Sequence, residues 1–326
     1  MKRNKLKRAV KKAGAIVLIV LTALTCLPYF VPVSQAGPSL DAGPFANSQR
    51  ETVNGTLFHF RMYPPPDGSV KGKMLLIHGL GGSTFSFEAA APLIARQGYY
   101  VLSVDLPGFG FSDRSAAYDH SQANRAMDLW KLLTILDQKM ESGLAGAPWH
   151  LAGHSMGGGT AVAMALKDEG RTKSLILIDP ALFDGDRKGV FSSFAPLSRW
   201  LQVALERLLL NESGIRRFLA SAYGREPGPQ EVKGYLTPLL LPGTAAALAG
   251  FVSTAESQDT ALLKGVSTPI MAIWGSEDTL VPIDQAERLL AIRPDLSLRV
   301  MAGAAHCPME THTEAFVQAV LQGLAE

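Results

Sequence analysis

Six short apolar runs, separated by stretches of helical periodicity, constrain this chain more than any other feature. They are residues 73–78 (KMLLIH), 101–105 (VLSVD), 149–153 (WHLAG), 174–179 (SLILID), 269–274 (PIMAIW) and 298–301 (LRVM). Each has the length of a buried strand and is too short for a helix. Helical patterns fall between them at 85–97, 124–141 and 156–169. A last one, at 312–324, puts Phe316, Val317, Val320, Leu321 and Leu324 on one face. Continuously apolar strands alternating with helices predict an α/β fold: a doubly wound, mostly parallel sheet covered on both faces. Residues 52–63 are expected to add an antiparallel edge strand, followed by a turn at Pro64-Pro65-Pro66-Asp67-Gly68.

Between residues 182 and 258 the alternation stops, and the sequence reads as several helices. Leu197, Trp200, Leu201, Ala204, Leu205 and Leu208 form an apolar stripe, with Arg199, Gln202, Glu206 and Arg207 opposite. Further helical patterns at 215–223, 229–240 and 244–254 are separated by Gly and Pro. An insertion here, between the sixth and seventh strands, is expected to cap the carboxyl edge of the sheet, where open α/β sheets bind ligands. The expected layout is a core of 50–181 and 259–326, a cap of 182–258, and a linker of 37–49.

The N-terminus differs from all of this. Lys2, Arg3, Lys5, Lys7, Arg8, Lys11 and Lys12 precede an uncharged apolar run from Ala13 to about Val33. Ser34-Gln35-Ala36 follows, with small residues at the first and third places. Residues 1–36 therefore read as an export signal cut near Ala36, or as a retained anchor with the rest of the chain facing outward. Either way the folded part is exported: membrane-anchored, periplasmic or secreted. Seven of the 31 basic residues lie in this segment, leaving 24 against 29 acidic. The net basic charge thus points to no nucleic acid. Cys26 belongs to the same segment, so Cys307 is alone in the folded part and no disulfide is expected there.

Chemistry concentrates at strand ends. Gly153-His154-Ser155-Met156-Gly157 stands after a strand and before an Ala-rich helix, where a tight turn flanked by glycines presents Ser155. A serine hydroxyl needs a base, and the base needs an orienting acid. His306 follows the run at 298–301, and Asp278 follows that at 269–274. Two other acids compete with Asp278: its neighbour Glu277, and Asp179 at the end of 174–179. Oxyanion donors are expected from the N–H of Met156 and from Leu80 in the His78-Gly79-Leu80-Gly81-Gly82 loop. His78 and His154 read as loop-bracing or packing residues, and Asp105 as fixing the loop it opens. The seven histidines show no metal-ligand spacing. No nucleotide-binding glycine fingerprint occurs either, so neither metal nor cofactor is expected.

The segments HGLGGS, DLPGFGFSD, GHSMGGG, IDPAL, WGSEDTLVP and AGAAHCPMET, in this order over residues 50–326, resemble the α/β-hydrolase superfamily. The similarity is greatest to its capped branch, which includes esterases, C–C bond hydrolases and cofactor-free haloperoxidases. The resemblance implies an eight-stranded sheet, with Ser155 as nucleophile, Asp278 as acid, His306 as base, and Leu80 and Met156 as oxyanion donors. It implies an enzyme without a cofactor, acting on a small ester-type substrate with an apolar part. Dehalogenases and epoxide hydrolases use aspartate where Ser155 stands. Ester hydrolysis is the simplest use of these parts; C–C hydrolysis and acyl transfer or perhydrolysis are alternatives. A non-catalytic ligand-binding member would more often lack a triad residue. Fold alone fixes no substrate.

Overall fold

A computed structural model describes residues 2–33, 43–140, 144–183 and 195–325 of the chain. Its first strands, Ser48–Val53 (β1) and Thr56–Tyr63 (β2), form an antiparallel hairpin. Asn54 and Gly55 make the turn with φ of 51° and 82°. This is the two-residue turn whose twist matches its flanking strands, and Asn and Gly are the residues that tolerate it. Residues 52–63 are therefore two strands and not one. The segment expected as a linker, 37–49, ends in strand, since Ser48 pairs with Arg61 and Gln49 with Phe60. Ala36 and the expected cleavage site lie outside the described residues.

The apolar runs appear as Gly72–Ile77 (β3), Tyr99–Val104 (β4), Trp149–His154 (β5), Thr172–Ile178 (β6), Ile270–Gly275 (β7) and Ser297–Met301 (β8). They complete one eight-stranded sheet in the order β1-β2-β4-β3-β5-β6-β7-β8. β2 pairs with β4 antiparallel, and every pairing from β4 to β8 is parallel.

The helices are Lys2–Phe30 (α1), Ala90–Ala95 (α2), Gln122–Lys139 (α3), Met156–Lys167 (α4), Ala195–Ala204 (α5), Glu212–Tyr223 (α6), Pro229–Leu239 (α7), Thr244–Thr254 (α8), Asp284–Ile292 (α9), Pro308–Thr311 (α10) and Thr313–Ala325 (α11). Alternation within the strands explains why they read as unbroken apolar runs. Leu75, Ile77, Leu151 and Leu177 face α3 and α4 through Leu129, Leu133 and Met164. Met74, Leu76, Ile176 and Ile273 face α2 and α11 through Ile94, Phe316 and Val320. Successive side chains leave a strand on opposite faces, and here both faces are dry. Each fully buried aliphatic side chain contributes about 1.5–3 kcal/mol.

The helices α5 to α8 occupy the interval between β6 and β7, as the break in the pattern predicted. Arg114, on the loop after β4, holds them to the sheet. Its guanidinium donates to Thr244 Oγ1 (2.9 Å) and Pro238 O (2.9 Å), and on its own side to Ser112 O (2.8 Å) and Gly110 O. The helix α5 meets the C-terminal part of α1 with Trp200 of its apolar stripe and with Arg199, which the sequence placed opposite that stripe: Trp200 Nε1 donates to Leu24 O (2.8 Å), and Arg199 to Pro28 O (3.2 Å) and Val31 O (2.9 Å).

Candidate active site

Ser155 sits at the junction of β5 and α4 with φ 50° and ψ −119°. A non-glycine residue there is strained by about 1–3 kcal/mol, and the surroundings must impose it. The flanking glycines show how. A Cβ on Gly153 would lie 2.3 Å from Gly157 O, and one on Gly157 would lie 2.4 Å from Ile77 O. Only glycine at both places lets the helix start this close to the sheet. The turn is then locked by Ser155 N donating to Ile178 O (2.9 Å) and by Gly158 N and Ala181 N donating to Ser155 O (2.9 and 3.1 Å).

Asp278 and His306 follow adjacent strands, β7 and β8, and the structure brings them together. His306 Nδ1 donates to Asp278 Oδ2 at 2.7 Å. Asp278 Oδ1 accepts the N–H groups of Leu280 (2.8 Å) and Val281 (3.0 Å). The two loops are tied by Glu277 N donating to Ala304 O (2.9 Å). They also close on Gly275, where a Cβ would lie 2.2 Å from Ala305 O. Both Asp278 and His306 are buried. Of the competing acids, Glu277 has an exposed side chain, and Asp179 reaches Asp278 but not the imidazole. Ser155 Oγ is not hydrogen-bonded to His306, a contact that commonly tightens only around substrate.

The loop after β3 lies directly on Ser155. A Cβ on Gly79 would be 3.1 Å from Ser155 Cβ and 2.8 Å from His154 Nδ1. Leu80 follows it, exposed, while Met156 opens α4, so its N–H is one of the first unpaired donors of that helix. His78 braces the loop as the sequence suggested. Leu106 N donates to its Nε2 (3.0 Å), so Nδ1 carries the proton given to Gly79 O (2.7 Å). Burial pushes its pKa down, which keeps the ring neutral. Asp105 fixes its own loop by accepting from Thr84 N (2.5 Å), Phe111 N (2.7 Å) and His59 Nδ1 (2.7 Å).

Three contacts escaped the sequence reading. His154 Nε2 donates to His306 O (2.7 Å), with the two rings 4.7 Å apart, so it braces the histidine loop from behind. Burial holds its pKa far below the ordinary imidazole value. Asp179 accepts from Gly275 N (2.8 Å) and lies beside Asp278. With Asp278 and a ring nitrogen of His306 it places three potential ligand atoms within 4.8 Å of one another, and His306 Nδ1 is hydrogen-bonded to Asp278. Glu310 of α10 accepts from Tyr223 of α6 (2.7 Å) and Tyr235 of α7 (2.6 Å), and Tyr235 also reaches Ser86 (3.0 Å). Burial raises the Glu310 carboxyl to about 7. Cys307 beside it is buried, and desolvation pushes its thiol up, so it is a packing residue and not a reactive one.

The family model for the alpha/beta hydrolase fold matches residues 73–313. Among curated relatives, Lipase 1 of Psychrobacter immobilis is 29% identical over 259 residues, covering 76% of each chain. The 2-hydroxy-6-oxononadienedioate/2-hydroxy-6-oxononatrienedioate hydrolase of Burkholderia vietnamiensis is 29% identical over 277 residues, covering 81% of this chain and 91% of the relative. Among solved structures, a membrane phospholipase A described as a bacterial virulence factor superposes with a TM-score of 0.68 at 22% identity. That match covers 100% of this chain and 98% of the other, and it speaks for the fold alone. With its eight-stranded sheet and a family match across most of its length, the chain belongs to the α/β-hydrolase family and is an enzyme, a hydrolase.

Proposed function

We propose that Ser155, His306 and Asp278 form a catalytic triad that hydrolyses a carboxylic ester through an acyl-enzyme. The observation that carries this reading is the 2.7 Å bond from His306 Nδ1 to Asp278 Oδ2. With Nδ1 protonated, Nε2 keeps the lone pair that a general base requires. Ser155 Oγ attacks the ester carbonyl as His306 takes its proton, and the N–H groups of Leu80 and Met156 hold the oxyanion. The N-terminus of α4 adds its positive dipole end. Collapse breaks the bond to the alkoxide, which leaves with the proton from His306. Water, deprotonated by the same imidazole, then releases the acid.

In this reading the expected cap over the site, residues 182–258, is formed among the described residues by α5 to α8, residues 184–194 lying outside them. Tyr223 and Tyr235 meeting Glu310 support it, as does Gly224, whose added Cβ would lie 3.2 Å from Ala305 beside the base. An apolar acyl group suits such a cap and agrees with relatives named lipases. C–C hydrolysis is the second reading, favoured by the dienedioate hydrolase relative. Against it, of the cap arginines Arg216 and Arg225 are paired with Glu212 (3.3 Å) and Glu231 (2.6 Å), and Arg217 has an exposed side chain, so a solvated helix face accounts for them. Residues 1–36 are read as a signal or outward-facing anchor, consistent with the span Lys11–Phe30 of mean hydropathy 2.1.

A series of p-nitrophenyl esters from acetate to decanoate tests the reading on the full chain in detergent. Turnover is expected, with S155A losing on the order of 10⁶ in kcat and D278N about 10⁴. Absence of turnover across the series rules out the esterase reading. A D179N defect larger than that of D278N would move the acid to β6.

A further inference from the structure

Asp179 ends β6 and Asp278 follows β7, its neighbour in the sheet, so two acids leave adjacent strands at the same edge. Both are almost wholly withdrawn from water, at 0% and 6% exposure. Their oxygens and a His306 ring nitrogen lie within 4.8 Å of one another. Two bare carboxylates this close, away from solvent, repel strongly, and one of them is expected to keep its proton.

The surrounding donors decide where that proton sits. Asp278 accepts three N–H groups: those of Leu280 and Val281 on Oδ1 and the imidazole on Oδ2. Asp179 accepts one, from Gly275 on Oδ1, and its Oδ2 is buried without a donor. The negative charge is therefore better held by Asp278. The backbone is bent to bring this about: Asp179 has a φ of 42°, fixed by its N–H donating to Ile273 O (2.9 Å).

We propose that Asp179 is held as a neutral carboxylic acid that donates its proton to the Asp278 carboxylate, positioning it and tempering the charge it presents to His306. Burial of Asp179, opposed by the Gly275 N–H and reinforced by Asp278, raises its pKa well above the usual carboxylate value, in agreement. The other titratable groups facing the pair are His306 and Cys307 on the loop after β8, and the thiol is uncharged. Asp179 is thus a positioning residue that acts through Asp278. Its catalytic consequence rests on the triad reading, whereas the placement of the proton does not.

Infrared difference spectroscopy of the full chain at pH 7.5 tests the proton directly. Wild type minus D179N is expected to show the carbonyl band of a protonated carboxylic acid, and S155A minus S155A/D179N the same band. Its absence from both overturns the proposal. The acidic limb of kcat/KM against pH supplies the second readout. Asn keeps a neutral N–H donor, so D179N is expected to stay within about threefold of wild type with the limb unmoved. D179L removes the donor, with a loss of about ten- to a hundredfold and a limb displaced upward, because Asp278 regains its full charge. A limb displaced downward by about a unit in D179N would show that Asp179 was ionised, overturning the proposal. So would a divalent cation that raises the Tm of wild type but not of D179N, since the pair would then be a metal site. If D278N proves fully active while the band persists, the triad reading fails and the proton stays assigned.

Discussion

Gly157 and Gly81 separate two reasons for which a residue must be glycine. Gly157 sits where a Cβ would lie 2.4 Å from Ile77 O and 2.6 Å from His78 O, both backbone atoms that cannot swing aside. Gly81 has a φ of 73° but open space around its Cβ position. G157A is therefore expected to cost about 1–3 kcal/mol through overpacking, and to displace Ser155 from the loop after β3. G81A carries only the left-handed backbone penalty, about 1–2 kcal/mol, and its serine geometry is intact. Thermal melts with ester turnover distinguish them: both lose Tm, but G157A alone should lose kcat by decades. At this scale the sequence was informative wherever a residue's place follows from a strand end. Ser155, Asp278 and His306 were legible because three strands end just before them. The Asp179–Asp278 contact was not, because it requires knowing that β6 and β7 are neighbours. The bond from His154 to the His306 carbonyl joins residues 152 positions apart, and no local pattern encodes it.

Strands and helices were legible to within a few residues where both faces of the sheet are dry, because burial on both sides leaves an unbroken apolar run. The hairpin was misread as one strand although Asn54-Gly55, flanked by β-formers, is itself a two-residue turn signal. Alternation in fact shifts by one across it, the core face holding Val53 before the turn and Phe58 and Phe60 after it, so the phase break was a second signal of two strands. The contact of α6 and α7 with α10 left no sequence trace, being made by single polar residues on otherwise ordinary amphipathic helices. It nonetheless has a pH signature. The Glu310 carboxyl is raised from 4.5 to about 7 by burial, so the folded chain binds this proton more tightly than the unfolded chain does. The associated stability is fully present below about pH 4.5 and is lost as pH rises towards 7, with no further loss above. E310Q removes the titration. The Tm difference between wild type and E310Q, followed from pH 4.5 to 8, should drift against wild type across that window and then level off. A flat difference would mean that Glu310 titrates as an ordinary surface carboxyl.

On the scale of the whole molecule, α1 packs against α5, the first of the inserted helices. Ile16, Leu18 and Ile19 of α1 are 61–68% exposed, an apolar surface that water does not sustain on a monomer and that a bilayer would cover. Were α1 retained as a span, the basic block before it, without an acidic residue in the segment, would set that end in the cytoplasm. The far end is then gripped by Trp200, Arg199 and Arg207, which donate to Leu24 O, Pro28 O, Val31 O and Pro32 O. Pro28 O lies in the helix's last turn and Val31 O and Pro32 O lie beyond it, where internal donors run out, while Leu24 O is open because the residue four places on is Pro28, which has no N–H. A retained α1 would thus hold α5 against the membrane, and cutting near Ala36 would free it. The two histories differ in what a membrane preparation contains. With α1 retained, the full chain stays in the pellet through a carbonate wash, leaves only with detergent, and keeps Lys2 at or next to its N-terminus by intact mass. W200A and R199A should then leave the pelleting unchanged while lowering Tm in detergent, since they remove contacts to α1 without touching the span. A soluble chain starting just after Ala36, with a Tm indifferent to W200A, would instead show that α1 is a leader and that α5 is exposed in the mature enzyme.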